Sequence, residues 1–185
     1  MSVLYEYTQE QIDIYDKDRK PTGRTKPRHG SGSRLTPDEY MIYALALLEN
    51  EEGRFLITQR TLDKKWAAGA WEIPGGGADS GETSRQAVER EVLEETGIRV
   101  TGVDPVSVYT YRNDDAKGGD NYFCDIYHYR LPFRPEQIRI EEDEVLGFKL
   151  ATLEEISTLA ENDGFLHYKR ICEALEAETK NGRAD

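Results

Sequence analysis

Cysteine is scarce in this chain: Cys124 and Cys172 are the only two. They stand far apart in the sequence, so no disulfide framework is expected. Both read as reduced, partly buried thiols, and a cytoplasmic location is the default expectation. Long apolar runs are missing too. None approaches the roughly 20 residues that a membrane-spanning helix needs. The opening MSVLYEYTQEQIDIYDKD has no basic stretch followed by an apolar one, so no signal peptide is expected. Positive charge is also short. There are 24 Lys+Arg against 36 Asp+Glu, a formal net charge of -12. Sequence-independent nucleic-acid binding depends on Lys and Arg neutralising phosphates, and this balance argues against it. It argues equally against docking on an anionic membrane. A phosphorylated small molecule is still compatible, because a bound divalent cation inverts the local field.

What is present suits one domain. A chain of 185 residues is long enough to bury a real core. Residues 1–34 read as an N-terminal extension with two short extended pieces around a turn at 16–20. They end in a basic loop rich in Gly and Ser, KPRHGSGSR. Residues 35–180 read as the main domain, and 181–185 as a frayed tail. YMIYALALLEN, residues 40–50, is a near-continuous apolar run, as for a central strand. RFLITQR, residues 54–60, alternates as a paired strand does. A short strand is expected at 71–73, ended abruptly by Pro74 and three glycines. Further strands are expected at 98–103, 106–111, 122–129 and 145–150. Residues 83–96 read as a helix, with a capping-box pattern at Thr83 and Gln86 and a stop at Gly97. Two more helices are expected, one from near Thr152 and one from Tyr168 to about Thr179. No internal repeat is visible. The fold class is α/β: a mixed sheet covered by helices.

The helix at 83–96 poses a chemical question. At about 100° per residue, Glu91, Glu94 and Glu95 share one arc of about 100°. Like charges this close repel, so water or a cation must offset them. A solvated acidic face is the plain account of such a run. The sequence just upstream supports another. Pro74, Gly75, Gly76 and Gly77 precede the helix, and glycines let backbone groups approach a ligand closely. Hard divalent cations take oxygen ligands, commonly carboxylates with waters and substrate phosphates. Ala87 shares the arc one turn earlier and leaves room there. Val88 and Val92 form an adjacent apolar edge suited to a sheet.

This segment resembles the Nudix box, GX5EX7REUXEEXGU, where U is aliphatic. Gly76 fills the first position and Glu82 follows after five residues. Arg90, Glu91 and Val92 follow after seven more, and Glu94, Glu95, Gly97 and Ile98 complete it. The surroundings agree over residues 40–156. The resemblance implies the Nudix α/β/α sandwich with a mixed β-sheet. It also implies hydrolysis of the diphosphate linkage in a nucleoside diphosphate joined to a group X, with Mg²⁺ or Mn²⁺ as cofactor. By resemblance, Glu91 and Glu95 are direct metal ligands. Glu94 ligates a second metal or acts through water, and the Gly76 carbonyl adds an oxygen. Arg90 and Glu82 pair to hold the loop against the helix. The general base is a box glutamate such as Glu94 or one from IRIEEDEVLGFKL, where Glu141, Glu142 and Glu144 stand and Glu144 is favoured. X stays open among ADP-ribose, a nucleoside triphosphate, a nucleotide sugar, a dinucleotide polyphosphate and a coenzyme A derivative.

Clues to X are thinner. Trp66, Trp71, Tyr109, Tyr111 and Tyr122 can stack on a base, although aromatics in strands more often serve the core. Arg112 and Lys117 can close over a ligand or sit as surface charges. Arg24, Lys26, Arg28 and His29 form a basic patch, suited to a phosphate, to a partner or simply to solvent. His128 and His167 receive no role. The expected partner is a small nucleoside diphosphate derivative, with no nucleic acid and no membrane, and a homodimer is possible. Two rival readings stand beside the hydrolase. The N-terminal IDIYDKDRKPTGRTK is similar to the branch related to isopentenyl-diphosphate isomerase. Those isomerases carry a catalytic cysteine before a degenerate box. WAAGAWEIPGGG has no cysteine, and the box here is complete. A non-catalytic nucleotide-sensing module is the other rival, but such modules usually lose box carboxylates.

Overall fold

A computed structural model describes residues 10–64, 66–115, 117–143, 145–162 and 164–181. In chain order these form β1 (Gln11–Tyr15), β2 (Pro21–Pro27), β3 (Met41–Glu49), β4 (Phe55–Arg60), β5 (Trp71–Glu72) and β6 (Gly75–Gly77). Helix α1 (Ser84–Thr96), β7 (Ser107–Asn113), β8 (Tyr122–Arg130), β9 (Val145–Ala151), α2 (Leu153–Glu161) and α3 (Tyr168–Asn181) follow.

The apolar run at 40–50 becomes β3, the spine of the sheet. It pairs with β8 in parallel from Met41↔Tyr122 to Glu49↔Arg130, and with β6 antiparallel. The main path is β5-β4-β3-β8-β7, with β9 added on β4. The sheet is mixed, as expected. β3 is apolar on both sides because both faces are covered. Ile42, Ala44, Ala46 and Leu48 meet Ala87, Val88 and Val92 of α1. Leu45 and Leu47 join Ile156 of α2 and Ile171 and Ala174 of α3. Helices therefore cover both faces, which is the α/β/α sandwich. Val88 and Val92 are fully buried, each contributing about 1.5 kcal/mol or more.

Two local expectations change. Residues 98–103 do not form a strand. Ile98 and Val100 are buried in the α1-side core, but Val103 N–H closes a turn on the Val100 carbonyl instead of joining a ladder. The glycines, read as a strand terminator, are themselves the strand β6. With no side chains they lie flush on β3. A Cβ on Gly75 would sit 2.3 Å from the Ala44 carbonyl oxygen.

The N-terminal hairpin β1–β2 packs on the domain. Ile12, Ile14, Leu35 and Met41 make a third small core. Arg19, in its turn, donates to both carboxylate oxygens of the buried Asp125 on β8. His128 is buried between Glu49 and Glu178, at 2.9 and 2.7 Å, and ties β3, β8 and α3 together. Neither cysteine is in a disulfide. Among the described residues no helix is long and apolar enough to cross a membrane.

Candidate active site

Helix α1 begins and ends where local chemistry dictates. The Thr83 hydroxyl accepts from the Gln86 N–H, and the Gln86 carboxamide accepts from the Thr83 N–H. Gly97 has φ 72°, and its N–H returns to the Leu93 carbonyl. Between these caps the buried edge of Ala87, Val88 and Val92 sets the rotation of the helix. That rotation turns the glutamate arc toward β6.

Each glycine of β6 meets a different group. The Gly75 N–H donates to Glu95 Oε2 at 3.1 Å. A Cβ on Gly76 would lie 2.5 Å from Glu91 Oε1. The Gly77 carbonyl accepts from Arg28 at 2.9 Å and from Arg90 at 3.2 Å. Ladder bonds from Ala46 N–H to the Pro74 carbonyl and from Ala78 N–H to the Ile42 carbonyl bracket the Ala44–Gly76 pair. Strand alternation therefore directs the Gly76 peptide groups toward β3. What Gly76 visibly supplies is room for the Glu91 carboxylate.

Arg90 organises the cluster. It donates two hydrogen bonds to Glu82, at 2.9 and 3.0 Å, the bidentate geometry that suits a guanidinium. Its Nη1 donates to Glu91 Oε1 at 2.8 Å and to Glu94 Oε2 at 3.2 Å. The bonds to Arg90 hold the Glu82 carboxyl below the ordinary range, and Glu82 in turn raises the Arg90 guanidinium. Glu91 behaves differently. Its side chain is only 17% exposed. Burial pushes its carboxyl up, more strongly than Arg90 pulls it down, and Glu94 adds to the rise. A desolvated carboxylate with a like-charged neighbour gains from a cation. Among the described residues no three acidic, His or Cys side chains already enclose a metal position. Arg90 lies between Glu91 and Glu94 instead.

These groups line one wall of a cleft of about 930 Å³. Gly76, Arg90, Glu91, Glu94 and Glu95 all reach it. Glu141 reaches it too, whereas Glu144 lies outside the described residues. The aromatic candidates separate. Tyr111 and Tyr122 line the cleft edge to face, 6.0 Å between centroids. Trp66 is exposed at the cleft with the Arg60 guanidinium 5.7 Å from its ring. Trp71 packs in the α2–α3 core under Lys149, and Tyr109 bonds Glu173 on α3. Arg112 pairs with Asp114 over Tyr40 and lies away from the cleft. The basic patch divides as well. Arg24 and Lys26 both grip the buried Glu39, while Arg28 and His29 turn into the cleft.

Several cleft residues carried no signal in the sequence. Arg60 is fixed to Glu72 at 2.9 Å. His167 sits at φ 62°, with Nδ1 3.4 Å from the Tyr111 hydroxyl. Burial, with Arg60 and Arg170 nearby, lowers its pKa. The Cys124 thiol is pushed up to about 12 by burial and stays protonated. These side chains come from β4, β8 and the α2–α3 connection, and only the sheet order brings them together.

Comparison with known proteins agrees with this geometry. The sequence model of the NUDIX domain matches residues 39–173. An uncharacterized Nudix hydrolase of Listeria monocytogenes is 31% identical over 160 residues, covering 86% of this chain and 89% of that protein. The isopentenyl-diphosphate Delta-isomerase of Salmonella heidelberg is 28% identical over 145 residues, 77% of each chain. The crystal structure of a MutT protein from Methanosarcina mazei superimposes with a TM-score of 0.60 at 24% identity, covering 80% of this chain and 96% of that one. That last likeness bears on the fold. The domain match spans most of the chain and includes the whole glutamate helix and its glycine strand, and this protein belongs to the Nudix hydrolase family.

Proposed function

We propose that this chain is a divalent-cation-dependent pyrophosphohydrolase that cleaves the diphosphate linkage of a nucleoside diphosphate joined to a group X. The observation that carries the reading is the arc of Glu91, Glu94 and Glu95 opening on the cleft against the glycine strand. Its donor set fits Mg²⁺ or Mn²⁺: three carboxylates, one of them desolvated, with a side-chain-free position beside it. When bound, the cation would neutralise the diphosphate and make a water molecule more acidic.

The protein's own groups then have distinct tasks. Glu91 and Glu95 hold the cation, with Glu94 nearer solvent as a second-site or water-mediated ligand. Arg90 holds Glu91 in register with Glu82. A carboxylate on the cleft takes the proton from the attacking water. Glu94 and Glu141 both line the cleft, which supports either in that role, and Glu144 stays a candidate from the sequence. Tyr111, Tyr122 and Trp66 offer ring faces and edges to the nucleoside or X.

The test is release of nucleoside monophosphate, separated by chromatography, from a panel of nucleoside diphosphate derivatives with Mg²⁺, with Mn²⁺ and with EDTA. Wild type and Glu95→Gln are compared. Metal-dependent turnover that drops about a thousandfold in the variant, several kcal/mol of barrier, is expected. Turnover insensitive to both EDTA and Glu95→Gln would sink the assignment. Isopentenyl diphosphate belongs in the panel because of the isomerase relatives. Isomerisation without hydrolysis would favour that second reading.

A further inference from the structure

The N-terminal hairpin ends within the cleft. Arg28, the residue after β2, is only 12% exposed. Its Nη2 donates to the Gly77 carbonyl at 2.9 Å and to Asp79 Oδ1 at 2.7 Å. The same carbonyl accepts from Arg90, and Arg90 Nη2 lies 3.7 Å from the other Asp79 oxygen. Two guanidiniums therefore share one carbonyl and one carboxylate. β1 grips the same loop further along. Asp13 accepts from the Ser80 hydroxyl at 2.7 Å and from the Gly81 N–H at 2.9 Å. Gly77 also accounts for its own lack of a side chain. It has no left-handed φ, yet a Cβ there would lie 2.3 Å from Arg28 Nη1. The glycine is needed for the arginine to enter.

We propose that Arg28 is a positioning residue of the hydrolytic site and that the N-terminal hairpin is part of that site. The inference rests on the hydrolase reading for its consequence, and on these contacts for its geometry. Arg28 occupies Asp79 and anchors the Gly77 carbonyl. Arg90 is then left to orient Glu91. Without Arg28, Asp79 is freed to draw Arg90 away, and the loop of residues 77–82 loses a clamp. The guanidinium fork reaches two acceptors at once, which a lysine ammonium does less well.

The experiment uses the full chain as wild type, Arg28→Ala, Arg28→Lys, Gly77→Ala and the Arg28→Ala/Gly77→Ala double variant. Hydrogen exchange is followed in the peptide spanning 77–82, with β3 and the middle of α1 as internal references. Arg28→Ala is expected to speed exchange in 77–82 about tenfold or more while the references stay unchanged, and Arg28→Lys to restore it in part. Gly77→Ala alone should resemble Arg28→Ala, because it evicts the arginine. The double variant should be no worse than either single one, which a general loss of packing does not predict. With the compound turned over fastest in the panel, kcat should fall 10- to 100-fold in Arg28→Ala with KM changed less than threefold, and added guanidinium should recover part of it. Unchanged exchange in 77–82 would overturn the proposal, as would additive losses in the double variant. If the wild type hydrolyses nothing, the hydrolase reading fails separately, and the exchange arm still decides whether Arg28 holds the loop.

Discussion

Gly76→Ala isolates the demand that the metal-site reading places on a single methyl group. The backbone permits alanine, since Gly76 has no left-handed φ. The obstacle is the new Cβ, 2.5 Å from Glu91 Oε1 and 2.6 Å from its carboxyl carbon. Comfortable contact between heavy atoms is about 3.5 Å, so the carboxylate must retreat by about 1 Å. The moving atoms are the end of a flexible side chain, and folding should suffer little: about 1 kcal/mol or less, a Tm change of a few degrees at this size. Catalysis should suffer much more. A misplacement of about 1 Å in a catalytic group costs on the order of 10²-fold, about 2.7 kcal/mol of barrier. The assay is the initial rate of nucleoside monophosphate release at saturating Mg²⁺, beside a thermal melt. Gly147→Ala is the control, since a Cβ there meets nothing within 4 Å. A Gly76→Ala protein with wild-type kcat would refute the reasoning, because it would mean that Glu91 need not stand where the structure puts it.

Other predictions concern stability. Burial alone would raise the Glu39 carboxyl, but the Lys26 ammonium and the Thr36 N–H outweigh it and hold it at about 2 against an ordinary 4.5. A depressed carboxylate stabilises the fold fully above about pH 4.5 and loses that contribution as pH falls through about 2. Between those limits wild type should lose on the order of 3 kcal/mol, a dependence that Glu39→Gln should flatten in urea titrations at several pH values. Equal pH slopes in the two proteins would contradict this. The buried Tyr129 hydroxyl has no hydrogen-bond partner among the described residues. Tyr129→Phe should therefore keep or raise stability, by up to about 1 kcal/mol in a thermal melt, and a clear loss would point to an unseen partner. Thr83→Ala removes the helix cap and should cost about 1 kcal/mol by the same melt, with no change in KM.

Legibility in the sequence followed the range of the interactions. The caps of α1 are local, between Thr83 and Gln86 and between Gly97 and Leu93, and they were readable as spacing. The side-by-side placement of Glu91, Glu94 and Glu95 was equally readable, because helical geometry depends only on interval. The segment at 98–103 misled because Ile98 and Val100 alternate like a strand, yet a strand also needs a neighbour to pair with. The glycines misled in the opposite sense. Their composition reads as a breaker, but β3 accepts their bare backbone as a strand. Arg24, Lys26 and Arg28 looked like one patch, and burial of Glu39 separated two of them from the third.

By itself, the sequence determined the family, the glutamate helix and the shared face of its carboxylates, since each rests on residue type at fixed spacing along one element. Tertiary structure decided the rest. It set Glu91 into a desolvated position while Glu94 stayed exposed. It brought Arg60, Trp66, Tyr111 and His167 to the same cleft as the glutamates. It also carried Arg28 from the N-terminal hairpin to a carbonyl 49 residues away. The physical reason is that desolvation and hydrogen bonding depend on which elements pack together. For this chain that follows from the parallel pairing of β3 with β8 and the docking of β1–β2, contacts between segments whose partners no local pattern names.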